Sequence, residues 1–343
     1  MKSIFKWAAI AIVASLALLL ATGAVWEQVE RRQVAAAYPA PGRLVDIGGG
    51  RRMQIECRGA GSPTVVFETG LDYFGALAWS KVMSPVAQIT RACAYSRAGI
   101  VWSDDKPGPH DALGAAHDLH ATLAAAGETG PFVLVGLSMG GPLITTYSGL
   151  YGDQVAGLVY VDASHPDQLK RFEAVLGKKS GGGMTAFVQD LGGNLAWTGG
   201  PRLVAMAARN NHAESTATMP PRAKEIALAF FATSLRPLAA ERDALPETFA
   251  EAGAYRNLGA RPVVVLTRGK PAPAGELSPA QAAAWDKAWP AMQQDMARWS
   301  SRGVQRTVSD ASHYIPNDDP DAVIAAVREV VGEVRAGPGP RAP

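Results

Sequence analysis

The stretch Gly136-Leu137-Ser138-Met139-Gly140 is the part of the chain best suited to chemistry. A serine hydroxyl attacks a carbonyl only if a base takes its proton and hydrogen-bond donors hold the negative charge that develops. A serine with small neighbours on both sides can sit in a sharp, strained turn between a strand and a helix, its hydroxyl exposed above the strand ends. The flanking residues fit that turn. Phe132–Leu137 is a continuous apolar run, as a strand covered on both faces requires, and from Met139 to about Leu150 the pattern is helical. A five-residue motif also arises by chance, and a glycine-rich turn with a helix-capping serine is the bland alternative. The strand–turn–helix context favours a nucleophile.

The base must be a histidine, and the chain has six: His110, His117, His120, His165, His212 and His313. Only His313 follows the final strand candidate, in Ala311-Ser312-His313-Tyr314-Ile315-Pro316, and it is the expected general base. His117 and His120 stand three apart on a helical stretch, as two metal ligands could. A zinc site needs at least three protein ligands, so a solvated helix face is the expectation. His165 and His212 are placed either lining a pocket or at the surface. No metal and no cofactor are expected.

Bringing Ser138 and His313 together requires a sheet. Two short strands, 43–47 and 52–57, are joined by Gly48-Gly49-Gly50 and read as a hairpin. Further strands are expected at 64–68, 92–96, 132–137, 155–161, 262–267 and near 304–308. Helices are expected at 76–88, at 111–126 ending on Gly127, after Met139, and at 320–334. Strands alternating with helices after an opening hairpin predict a mostly parallel sheet with helices on both faces. Strand signals stop between 163 and 257, where Gly181-Gly182-Gly183, Met184, Met206, Met219 and a helical pattern at 222–252 suggest an inserted helical cap.

The N-terminus is a separate element. Lys2 and Lys6 precede an uncharged run from Trp7 to Trp26, about 30 Å long as a helix, the thickness of a bilayer core. An uncleaved anchor is the first expectation, with membrane contact through residues 7–26. A cleaved signal ending near Ala24 is the alternative, and a buried core helix a third. Lys2 and Lys6 favour a cytoplasmic N-terminus, placing the rest on the extracytoplasmic (periplasmic or extracellular) side, although Arg31 and Arg32 pull the other way. The expected organisation is therefore 1–26 anchor or signal segment, 27–42 stem, 43–162 first part of the core, 163–257 cap, 258–335 second part of the core, and 336–343 a disordered Gly/Pro-rich tail. Of the 343 residues 48% are hydrophobic and 19% charged, which fits a globular protein with a sizeable core. A formal net charge of +2 without a basic run gives no case for nucleic-acid binding.

Several segments now line up with known landmarks. Thr69-Gly70-Leu71 follows the third strand, Tyr95-Ser96-Arg97-Ala98-Gly99 with Trp102-Ser103-Asp104 follows the fourth, and Ser312-His313 precedes Asp319-Pro320. Together with Gly136–Gly141 they resemble the α/β-hydrolase superfamily, in its esterase and C–C-hydrolase-like branch, over roughly residues 43 to 335 with the cap unmatched. Ser96 stands where that family usually has Asp, and Val101 stands near a usual Gly, which bears on the geometry of this loop. The resemblance implies an α/β-hydrolase fold with an eight-stranded, mostly parallel sheet. It implies a carboxylesterase- or lipase-like reaction on a small-molecule acyl substrate, cleaving an ester, thioester or amide through an acyl-enzyme. The oxyanion donors would be the backbone N–H groups of Met139 and Leu71. A serine nucleophile argues against relatives that use Asp, the dehalogenases and epoxide hydrolases. A Ser-dependent acyltransferase and a non-catalytic hydrolase-like binding protein are the other readings.

Two assignments rest on the fold so implied. The acid that orients His313 usually follows the seventh strand, but 268–273 contains no carboxylate. Asp162, closing the sixth strand beside the elbow, is the first candidate; Glu276 is the alternative, and neither is a third outcome. Cys57 and Cys93, the only two cysteines, would end and begin neighbouring antiparallel strands. A disulfide is expected there, against two buried free thiols.

Overall fold

The structure is a computed structural model and describes residues 2–176, 190–208, 214–271 and 278–337. Eight strands form one sheet: β1 (Arg43–Asp46), β2 (Arg52–Arg58), β3 (Thr64–Glu68), β4 (Ala92–Tyr95), β5 (Phe132–Leu137), β6 (Val155–Val161), β7 (Gly259–Arg268) and β8 (Ser300–Val308). Their order is β1-β2-β4-β3-β5-β6-β7-β8. Only the β1–β2 and β2–β4 pairs are antiparallel; the rest are parallel. The expected α/β-hydrolase fold is the observed one.

The central strands alternate between two cores, because successive side chains leave a strand on opposite faces. On one face Val133, Val135, Leu137, Val159, Val161, Val264 and Leu266 pack against Val323, Val327 and Val330 of the last helix, Pro320–Ala336. On the other, Leu134, Leu158, Tyr160, Val263 and Val265 pack against Leu119 and Leu123 of helix Ala112–Ala126 and Ile144 and Tyr147 of helix Gly140–Leu150. Burial on both sides explains why these strands read as unbroken apolar runs. Helix Ala112–Ala126 is bounded as its sequence suggests: the Asp111 side chain accepts from the Gly114 N–H, and Gly127 takes a left-handed conformation at the C-cap.

Several elements differ from expectation. The helix expected at 76–88 is a 3₁₀ turn, Gly75–Trp79, followed by one short helix, Met83–Val86. The N-terminal run and the stem form one continuous helix, Lys2–Ala37. The pattern at 222–252 is two helices, Pro221–Asp243 and Leu245–Gly253, separated at Ala244 just ahead of Pro246. A helix the sequence reading did not anticipate, Pro279–Ala297, joins β7 to β8. Between β6 and β7 the described residues form helices and turns, with Gln168–Leu176 and Gly200–Ala208 the other longer helices. This insertion lies against the loops that follow β3, β4 and β8: Phe231 meets Tyr73 edge-on, Phe230 meets Trp102, and Thr218 donates to Asp318.

Cys57 and Cys93 are direct register partners between β2 and β4, with Cα atoms 4.1 Å apart, and they are bridged.

Candidate active site

In a parallel sheet, loops that leave the C-terminal ends of adjacent strands converge, and groups distant in sequence meet there. Ser138 follows β5, Asp162 follows β6, the Thr69-Gly70-Leu71 loop follows β3, and His313 follows β8. Ser138 has φ 53° and Asp162 φ 42°. Both are left-handed conformations that cost a non-glycine residue roughly 1–3 kcal/mol. The sheet holds them there. The Ser138 N–H donates to Val161 O at 3.2 Å, and the Asp162 N–H donates to Leu266 O at 2.7 Å. Each strand end thus pins the turn of its neighbour. The Ser138 carbonyl in turn accepts from the Gly141 and Ser164 N–H groups.

The motif's glycines answer to close approach. A Cβ on Gly136 would lie 2.6 Å from the Gly140 carbonyl oxygen, and one on Gly140 would lie 2.6 Å from that of Glu68. The loop after β3 reaches Ser138 as well: a Cβ on Gly70 would stand 3.0 Å from the Ser138 Cβ. Leu71 is therefore the next residue of a backbone laid directly against Ser138, and Met139 begins the following helix with helical dihedrals.

The carboxylate that meets His313 is that of Asp162. His313 Nδ1 lies 2.6 Å from Asp162 Oδ2. Asp162 is fully buried and accepts three further bonds, from the Arg268 N–H at 3.0 Å, the Arg268 guanidinium at 2.8 Å and the Trp289 indole N–H at 2.7 Å. Burial alone would push its carboxyl up. The hydrogen bond and charge of His313, with the charge of Arg268, outweigh burial and hold it below the usual aspartate range. Glu276 and His212 lie outside the described residues.

Around this pair stand residues that sequence reasoning missed. Trp289 lies edge-on to His313 and under the Arg268 guanidinium, 4.5 Å from its ring centre. Gln293 donates to the Ala163 carbonyl at 2.7 Å. Both sit on the unanticipated helix Pro279–Ala297, whose start carries a legible signal, the reciprocal Ser278–Gln281 capping box. His165 is neither a surface nor a pocket group: it is fully buried and bonded to Asp295 at 2.8 Å. His117 and His120 serve Tyr151, the first by a hydrogen bond at 2.7 Å and the second by a parallel stack at 3.9 Å.

The loop after β3 is held by Arg97. This buried guanidinium donates to the carbonyls of Thr69 and Gly70, to Glu68 at 2.6 Å, and in two bonds to Glu241 of the insertion. Tyr95 donates its hydroxyl to the other oxygen of Glu68. Burial opposes the charge of Arg97, but Glu241 and Glu68 keep it fully protonated. Burial also pushes Asp72, which accepts from Thr69 Oγ1 and the Phe74 N–H, up to about 6. The two departures in the neighbouring loop have local explanations. Ser96 Oγ accepts from the Ala76 N–H and donates to Gln54. Val101 takes φ 50°, a strained setting for a β-branched side chain that a glycine would adopt freely.

The model of the alpha/beta hydrolase family matches residues 57–326, most of the chain. The chain belongs to the alpha/beta hydrolase family. Its fold is shared with a thermophilic esterase from Thermogutta terrifontis (TM-score 0.61, 22% identity, covering 85% of this chain and 97% of that one). It is shared also with an esterase from Exiguobacterium antarcticum (0.61, 16%, 85% and 100%) and the enol-lactonase from Burkholderia xenovorans LB400 (0.57, 17%, 84% and 100%). At these identities the likeness is one of fold. In sequence, the chain is 34% identical over 128 residues to "Probable transporter efuK" of Hormonema carpetanum, covering 35% of this chain and 18% of that protein. It is 37% identical over 82 residues to an uncharacterised protein of Schizosaccharomyces pombe, covering 24% and 15%. The chain thus spans less than a fifth of the length of either relative.

Proposed function

We propose that this member of the family is a serine hydrolase that cleaves an ester, thioester or amide bond of a small acyl substrate. The observation that carries the reading is the Asp162–His313 pair at 2.6 Å, with Asp162 next to Val161, whose carbonyl holds the strained Ser138 turn at the end of β5. With its Nδ1–H given to Asp162, the neutral ring of His313 keeps Nε2 free as a base. Ser138 Oγ attacks the acyl carbon as Nε2 takes its proton, and the carbonyl oxygen becomes an oxyanion held by the N–H groups of Met139 and Leu71. The imidazolium, stabilised by the Asp162 carboxylate, then protonates the leaving alcohol, thiol or amine. Water, deprotonated by the same ring, attacks the acyl-serine and releases the acid and the free hydroxyl.

Helix Lys2–Ala37 contains the one stretch, among the described residues, long and apolar enough to cross a bilayer. In this reading residues 7–26 anchor the enzyme and the catalytic domain lies on the extracytoplasmic side, where the Cys57–Cys93 bridge persists. The test is a panel of p-nitrophenyl esters of graded chain length, run on the native chain and on Ser138→Ala. Turnover that vanishes in Ser138→Ala supports the reading; turnover that survives it, or no turnover of any ester by folded native protein, refutes it.

A further inference from the structure

Helix Gly200–Ala208 of the insertion is built inside out. Its charged residue, Arg202, is turned inward and only 5% exposed, whereas Leu203, Val204 and Met206 are 57%, 68% and 49% exposed. The turn before it continues the pattern, with Leu195 40% and Trp197 48% exposed, and so does Leu191 at 47%. A soluble surface shows single apolar side chains, and a contiguous set of large ones marks a contact face.

The N-terminal helix determines what that face meets. Arg202 is turned inward because its partner is Glu27, fully buried and bonded to it at 2.7 and 2.9 Å. One turn earlier the two elements touch through backbone. A Cβ on Gly23 would collide with the Thr198 carbonyl, and one on Gly199 with the Trp26 ring. Glycines at a crossing let two elements come this close. The contact therefore falls at residues 23–27, where the uncharged run ends at Trp26 and the first charge appears. Residues 7–26 as a helix are about 30 Å long, one bilayer core. If they span it, Trp26 stands at the bilayer surface, and segment 195–199, fastened to it, stands there too. Trp197 then has the interfacial setting that Trp side chains favour.

We infer that the face formed by Leu191, Leu195, Trp197, Leu203 and Val204 lies in the lipid interface of the bilayer that the N-terminal helix spans. The inference rests on the anchored reading of residues 7–26. The anchor then does more than tether: through Glu27–Arg202 it orients the insertion towards the lipid.

The experiment uses the full chain in phosphatidylcholine–phosphatidylglycerol vesicles, with one spin label at a time on Trp197→Cys, Val204→Cys, Leu16→Cys or Val304→Cys. Relaxation by oxygen against relaxation by a water-soluble nickel complex gives the depth of each label. Labels at 197 and 204 are expected about 5–10 Å inside the headgroup–acyl boundary, the label at 16 in the hydrocarbon, and the label at 304, on exposed β8, in water. Labels at 197 and 204 in water with 16 in hydrocarbon would overturn the inference while leaving the anchor standing, and would reassign the face to a protein partner. A label at 16 in water would overturn both. Two positions on the face guard against one substitution that disturbs folding.

Discussion

The strand ends and the helical insertion hold their functional groups in different ways. At the ends of β5 and β6 the two strained residues are fixed by neighbouring backbone. Val161 O holds Ser138, Leu266 O holds Asp162, and the Arg268 N–H holds the Asp162 carboxylate. In the insertion the ties to the rest of the molecule are side chains reaching across long sequence distances, Arg97–Glu241 and Arg202–Glu27 above all. The sheet holds a turn in place at two strained residues, where the proposed chemistry is centred. The insertion, tied to the rest of the molecule through side chains, is where orientation and access can be tuned without disturbing the proposed chemistry.

The largest expected effect lies on the rigid side. Asp162→Asn leaves the hydrogen-bonding shape but removes the charge that fixes the His313 tautomer, and kcat should fall by up to ~10⁴-fold with the fold intact by circular dichroism. Near-native kcat would mean that Asp162 only caps its strand. The link between the regions comes next. Arg97→Met leaves Glu68 and Glu241 buried without their cation and should cost about 3–5 kcal/mol in denaturant unfolding. Glu241→Gln, which keeps the Arg97 contacts to Glu68, Thr69 and Gly70, should cost less and spare kcat. Equal losses from the two variants would erase the proposed division between loop and insertion.

The third effect concerns the edge of the sheet. The Cys57–Cys93 bridge joins residues 36 apart in sequence, a loop for which chain entropy gives about 3–4 kcal/mol. Paired Cys57→Ala and Cys93→Ala should lower stability by that order and leave kcat nearly unchanged, since neither residue touches the candidate site. The smallest effect is one of pH. A carboxyl raised to about 6 binds its proton more tightly folded than unfolded, so Asp72 favours the fold below about pH 4 and loses that contribution as pH rises through about 6. The shift corresponds to about 2–3 kcal/mol. In Asp72→Asn, the decline in stability from pH 4 to pH 6 should flatten. Asp162 has the opposite sign: lowered in the fold, it stabilises above the unfolded aspartate value and loses that contribution only as pH falls through its own depressed value.

What the sequence made legible follows the same division. The strained turn at Ser138 was readable because such a turn needs glycines within two residues, and the position of His313 because it alone among the histidines follows the last strand. Asp162 was readable as a strand-end carboxylate once 268–273 offered none. Arg268 was in view but its role was not, since its contact to Asp162 depends on β6 and β7 being neighbours. Trp289 was hidden further, on a helix with Pro290 inside it and little amphipathic contrast, so that only the Ser278–Gln281 cap marked it. The helix expected at 76–88 failed because its apolar residues, Trp79 and Val82 among them, are buried by the core as a 3₁₀ turn and a short helix. Arg97–Glu241 spans 144 residues, and no local pattern announces a pair of that separation. The membrane-facing surface proposed on the insertion had no signal in the sequence, because which side is buried depends on where the N-terminal helix docks.

The central claim is that Ser138 is a nucleophile activated by the His313–Asp162 pair, and active-site phosphonylation tests it most directly. The full-length protein in detergent is treated with a fluorophosphonate probe and the modified peptide is mapped by mass spectrometry. Stoichiometric labelling at Ser138, lost in Ser138→Ala and slowed strongly in His313→Ala and Asp162→Asn, is the expected result. Folded native protein that stays unlabelled, or is labelled equally well without His313, would contradict it.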